Sequence, residues 1–186
     1  ESGGKDQMQR NHQRGEGRFA PRPTPNPLRG SYGPRENGFT ASEAVQFLGA
    51  VRAAQESYFQ SFGQYCGTLQ PALHPAAIPF ETKETWNPPA NNPWRDLNVQ
   101  SAGRVWFQYY LVAGTANQNP PADAPFLPAE VNGRPWYWAG ACGDFNGDGA
   151  GQACSGALSN DRMASKLSFF ETSSVRADVV SHHEGQ

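Results

Sequence analysis

TASEAVQFLGAVRAAQESYFQSFGQY, residues 40 to 65, is the segment from which the architecture can be built outward. Thr40 followed by Glu43 has the spacing of a capping box, in which hydroxyl and carboxylate satisfy the backbone N–H groups that open a helix. Ala44, Leu48, Val51, Gln55, Tyr58 and Phe62 recur at intervals of three and four, and Val45 and Phe59 widen this stripe. Gln46, Arg52, Glu56 and Gln60 form the polar face, and Gly63 supplies a stop. An amphipathic helix of this length needs an apolar partner surface, and the downstream sequence offers strands to provide it.

RVWFQYYLVAG (104–114) is β-branched and aromatic throughout and predicts the strongest strand. RPWYWAGACGD (134–144) predicts a second, ASKLSFFETSS (164–174) a third, and VRADVVSHH (175–183) a fourth. Between helix and strands, residues 67 to 103 are rich in Pro, Asn and Trp and lose all periodicity. Trp86, Trp94 and Leu97 are expected to pin this irregular connection to the body. The resulting fold class is α+β, with one long N-terminal amphipathic helix packed on a 3-4-stranded antiparallel sheet. Long irregular loops and an extended N-terminal arm complete it.

That arm is residues 1–38, and residues 39–186 are the globular part. The arm holds seven Lys/Arg against four Asp/Glu, whereas the remainder holds eight against thirteen. With few apolar side chains and no periodicity it cannot bury enough surface to fold alone. Its RPTPNP core (22–27) favours an extended polyproline conformation, and at about 3.1 Å per residue the arm spans on the order of 100 Å. Phe19, Arg22, Pro23, Pro25, Pro27 and Leu28 are the residues expected to lie along a neighbouring subunit. Nucleic acid is not an expected partner, because the basic residues lack aromatic interleaving and a recognition fold. Because the first residue is Glu1 and not Met, a preceding segment is expected to have been removed and no signal peptide is expected in these residues, and no run approaches the roughly 20 apolar residues of a bilayer-spanning helix.

The order of these parts resembles the type IV pilin-like and pseudopilin family. SEAVQFLGAVRAAQESYFQSFGQYC (42–66) looks like the exposed half of the first helix of those proteins, and WYWAGACGDFNGDG (136–149) resembles their aromatic strand and its acidic, glycine-rich turn. SVRADVVSHHEGQ (174–186) is similar to their terminal strand and polar tail; the likeness covers residues 40–66 and 104–186. It implies a structural subunit of an extracellular filament, a pilus or pseudopilus, built from copies of itself and other pilin-like subunits. GFTASE (38–43) imitates the family's cleavage signature, yet Gln46, Arg52, Gln55 and Glu56 make the adjoining helix too polar to span a bilayer. The apolar half of the family's helix is not found in these 186 residues, so membrane contact is expected only through that missing segment. Assembly through the arm is the expected substitute.

CGDFNGDGAGQAC (142–154) admits two readings. Asp144, Asn146, Asp148 and Gly149 reproduce the first half of an EF-hand loop, and the pseudopilins that this chain resembles use calcium in a loop near their C-terminus. The second half fails: position twelve is Ser155 and position nine Gln152, so another anion such as Asp161 or Glu171 would have to complete the shell. The other reading is a tight turn in which Asp and Asn bond nearby N–H groups. Cys142 and Cys154 are the preferred disulfide, worth about 3 kcal/mol in the chain-entropy model, with Cys66 left as a buried thiol or as an alternative partner. A disulfide places the protein in an oxidising location, outside the cell or at its surface after export.

Enzymatic chemistry is not expected. The sequence contains no phosphate-binding glycine loop, nucleophile elbow or zinc motif, and His12, His74, His182 and His183 show no ligand spacing. His182 and His183 are expected in a solvated tail. Trp86, Trp94, Trp106, Trp136 and Trp138 belong to the core or else to a binding platform. That second possibility defines the alternative function: a secreted monomeric adhesin or carbohydrate-binding module using the loops 86–94 and 117–131.

Overall fold

The computed structural model describes residues 34–79, 82–121, 124, 128–144, 154 and 168–182. Helix α1 runs Pro34–Phe62. It therefore starts six residues before Thr40, and Pro34 suits a first turn because it lacks an N–H that would be unsatisfied there. Thr40 consequently lies inside the helix, not at its cap. Gly63 ends it as expected, at φ +69° and with its N–H donated to the Phe59 carbonyl at 2.8 Å.

Short strands β1 (Ala72–His74) and β2 (Glu84–Thr85) and the single-turn helix α2 (Pro93–Asp96) punctuate the irregular connection. Then come β3 (Arg104–Val105), β4 (Gln108–Gly114), the turn α3 (Pro128–Val131), β5 (Trp136–Gly143), β6 (Ser168–Ser173) and β7 (Val180–His182). Among the described residues, five strands form one antiparallel sheet in the order β1-β4-β5-β6-β7, and β2 and β3 form a separate ribbon. The expectation of three to four strands falls one short, and β1 is the addition. Bracketed by Pro71 and Pro75, it can pair on one side only and so sits at the edge, too brief to leave a pattern in the sequence.

α1 lies on β5 and β6. Ala44, Phe47, Leu48, Val51 and Gln55 form its buried face, while Val45 and Phe62 are exposed at 44% and 65%. The inward stripe is thus rotated from the expected one: Phe47 replaces Val45, and the stripe ends before Phe62. Ala139 and Ala141 of β5 are in the core that takes this face, where small side chains admit a helix closely, with Tyr109, Leu111 and Phe170 around them. Phe47 is the hub of an aromatic cluster, its ring centroid 4.1 Å from that of Tyr109 and 4.6 Å from that of Trp86.

The opposite face of the sheet is buried too. Tyr110, Val112, Trp136, Trp138, Cys142 and Phe169 make a second core, against which Leu73, Ile78 and Val175 pack. Every residue of β4, β5 and β6 is buried, which explains why these strands read as continuous aromatic runs and not as alternation. Gly114 and Gly140 belong to this second face: a Cβ at Gly114 would collide with the Trp136 indole, and one at Gly140 with the Tyr110 ring.

Candidate functional site

The junction after α1 is built around one polar side chain in the apolar stripe. Gln55 is fully buried; its Nε2 donates to the Cys66 carbonyl at 2.7 Å and its Oε1 accepts from the Cys66 N–H at 2.9 Å. The chain is thereby turned back against the helix it has just left. Cys66 is a free thiol, so it does not pair with Cys142 or Cys154. Burial, and secondarily the charge of Asp96, push that thiol up to about 12, and its Sγ lies 3.5 Å from the Pro93 carbonyl oxygen. Protonated and enclosed, it is a packing group and not a nucleophile.

Beside this turn lies an open depression of about 430 Å³, lined among others by Tyr58, Tyr65, Pro71, Asn92, Pro93 and Asp96. Tyr58 stacks toward Phe62 with centroids 4.4 Å apart, and Tyr65 is held between Phe59 and Tyr137, each at 4.8 Å. Burial pushes the Tyr65 phenol up to about 12, with the Glu56 carboxylate adding to the effect. Asn92 caps α2 by accepting the Trp94 N–H at 3.1 Å. The rim is therefore aromatic and amide-rich with one carboxylate, Asp96, which is exposed. Nothing in the sequence pattern draws residues 58, 65, 71 and 92–96 together; the Gln55 clamp and the packing of Trp94 do so.

Trp94 is fully buried and donates its indole N–H to the Ala72 carbonyl at 3.1 Å; Trp86, 8% exposed, donates to the Val99 carbonyl at 2.9 Å. Leu97 is buried with them, so the three anchors pin the connection as expected. Trp136 and Trp138 are also core residues. Trp106 is half-buried, with the Lys83 ammonium 5.7 Å from its ring centroid. The Glu43 carboxylate accepts the Trp106 N–H at 2.8 Å and pairs with Lys83 at 3.3 Å, which joins the helix to the break between β3 and β4 in place of the expected capping box.

On the other face, Cys142 and Cys154 are bonded, with Cα atoms 5.6 Å apart. The Cys154 N–H donates to the buried Gln108 Oε1 at 3.0 Å, and Gln108 Nε2 donates to the Pro75 carbonyl at 2.9 Å. Of the expected calcium ligands, Asp144 is buried at the end of β5, while Asn146 and Asp148 lie outside the described residues. Asp161 lies outside them as well. Glu171 is committed elsewhere: its Oε2 accepts the Trp138 indole N–H at 3.1 Å and its Oε1 is 3.2 Å from His182 Nε2. Among the described residues no group of three His, Cys, Asp or Glu side chains is placed to hold a metal ion.

His182 is not in a solvated tail. It sits in β7, half-buried against Glu171, a pairing between diagonal neighbours on adjacent strands that a linear reading of VVSHH does not reveal. His74 accepts the Asn87 N–H at 3.1 Å, and burial lowers its pKa, which favours the neutral ring. His12 and His183 lie outside the described residues, as do the arm positions Phe19, Arg22, Pro23, Pro25, Pro27 and Leu28. Among the described residues no helix is long and apolar enough to cross a membrane. Compared with protein-family models, curated proteins and solved structures, the chain matches none.

Proposed function

We propose that this chain is a structural subunit of an extracellular filament, pilin-like in plan, which assembles through contacts between copies and with other subunits of its kind. The observation that carries the reading is the disposition of apolar surface around α1. The helix seals one face on the sheet, and among the described residues the exposed large hydrophobic side chains are Val45 and Phe62 on that helix and Leu69 just after it. Apolar side chains spaced along and beside one long element, Val45 about 25 Å from Phe62 at 1.5 Å per residue, suit packing between subunits that lie alongside it. The Cys142–Cys154 bond supports an oxidising, extracytoplasmic location. A monomeric binding module using the loops 86–94 and 117–131 is the weaker reading, because Trp86 and Trp94 turn their indoles into the core.

Size-exclusion chromatography with light scattering, joined to electron microscopy of the purified full chain, is the test. Oligomers or filaments that grow with concentration are expected. A monomer at every concentration, with no filament in the micrographs, would refute the proposal.

A further inference from the structure

We infer that the depression beside the C-terminal end of α1 is a docking groove for the proline-rich arm of a second copy, with Arg22–Pro27 as the docked segment. The docking presupposes self-association and so rests on the subunit reading. Extended proline-rich segments are recognised by shallow grooves whose walls are aromatic rings and whose rim offers amide hydrogen bonds, because the polyproline helix has little conformational entropy left to lose. This depression has that make-up: the rings of Tyr58 and Tyr65, the prolines Pro71 and Pro93, and the amide of Asn92. Phe62, 65% exposed with its ring tilted against that of Tyr58, extends the aromatic wall outward.

Charge adds direction. Asp96 is the carboxylate of the rim, exposed and without an ion pair among the described residues. Its neighbour Arg95 is turned away, donating to the Pro88 carbonyl at 2.7 Å and to Asn87 Oδ1 at 3.0 Å. The stretch ahead of α1, residues 1–33, carries six cationic residues against three acidic ones, and Arg22 opens the RPTPNP segment. An arginine ahead of the prolines and a carboxylate on the groove favour one direction for the segment.

Chain length decides between the chain's own arm and another copy's. Tyr58 stands 24 residues along α1 from Pro34, roughly 36 Å at 1.5 Å per residue. Pro25 precedes Pro34 by nine residues, which even fully extended reach only about 32 Å, and Pro27 reaches less. Pro23, eleven residues from Pro34, could just span about 40 Å, but Pro25 and Pro27 fall short of Tyr58, so the segment as a whole does not fit the groove of its own chain. In a row of copies each arm would occupy the next groove, a heterologous contact that propagates and does not close on itself.

The experiment uses the full chain with Thr24→p-benzoylphenylalanine, an equal mixture of nitrogen-15-labelled and unlabelled protein, photocrosslinking, and mass spectrometry of the joined peptides. Crosslinks from position 24 to residues 58–72 or 91–96, joining labelled to unlabelled chains, are the expected result. A second measurement tracks self-association by light scattering: Arg22→Asp weakens it about tenfold, and Asp96→Arg added to the same chain restores it. Oligomers whose crosslinks map elsewhere would overturn the groove and leave the subunit reading standing, whereas absence of any oligomer would end both. Crosslinks confined to chains of one label would overturn the second-copy assignment, and failure of the charge exchange to restore association would overturn the Arg22–Asp96 pairing.

Discussion

Gln55 and Gln108 look like blemishes in apolar stretches, and each is a two-sided clamp. Gln55 holds both backbone groups of Cys66; Gln108 ties Cys154 to Pro75. Because a leucine fits the stripe but leaves a buried donor and acceptor without partners, Gln55→Leu is expected to cost about 2 kcal/mol or more, read as a lower urea midpoint. The buried acids that carry a proton set a pH limit as well. Burial, aided by the Asp96 charge, raises Cys66 from 9.0 to about 12, and burial with the Glu56 charge raises Tyr65 from 10.0 to about 12. Tyr109 and Tyr137 are raised chiefly by burial. In this window the unfolded chain releases protons that the folded chain keeps, so stability is complete below pH 9 and falls progressively toward pH 12. Denaturation midpoints that stay level from pH 8 to 11 would contradict this. The sequence shows that Gln55 sits on the inward stripe, yet it gives no sign of the partner, which lies eleven residues on and beyond a turn.

α1 and β7 differ in how well they can be read. The period of three and four locates α1, and Gly63 marks its end, because both signals are local and depend on the helix alone. The start at Pro34 is less visible, since Asn37 and Gly38 are poor helix formers and GFTASE offers a more conventional cap. Nor does periodicity distinguish Val45 from Phe47; the aromatic ring goes inward because Tyr109, Trp86 and Trp94 provide a slot for it. β7 is three residues long and is held by pairing to β6 and by the His182–Glu171 contact. Replacing His182 by Ala is expected to cost about 1 kcal/mol and to speed amide exchange at residues 180–182 while β4 and β5 keep their protection. Equal exchange in both proteins would show that the contact does not hold the strand.

Across the molecule, the disulfide joins the end of β5 to a segment fastened on β4. Cys142→Ala with Cys154→Ala is expected to lower stability by about 3 kcal/mol, measured by urea unfolding under non-reducing conditions. Calcium is not expected to stabilise the fold: melting temperatures with chelator and with millimolar calcium should agree, since an ion bound only to the native state would raise them. The α+β class, the helix and four of the five strands of the main sheet were legible, because amphipathic period, aromatic runs and glycine stops are carried by neighbouring residues, although the single strand expected over 104–114 is broken into β3, which joins the ribbon with β2, and β4. The strands lack the alternation of a one-sided sheet because both faces are buried, and the second core was not anticipated. Which side chains meet across those faces was settled only by folding. The edge strand between two prolines, the Glu171–His182 pair and the groove assembled from residues 58 to 96 join positions whose separation along the chain carries no pattern. Local sequence sets the conformation of each segment, whereas long-range contacts depend on the packing of the whole.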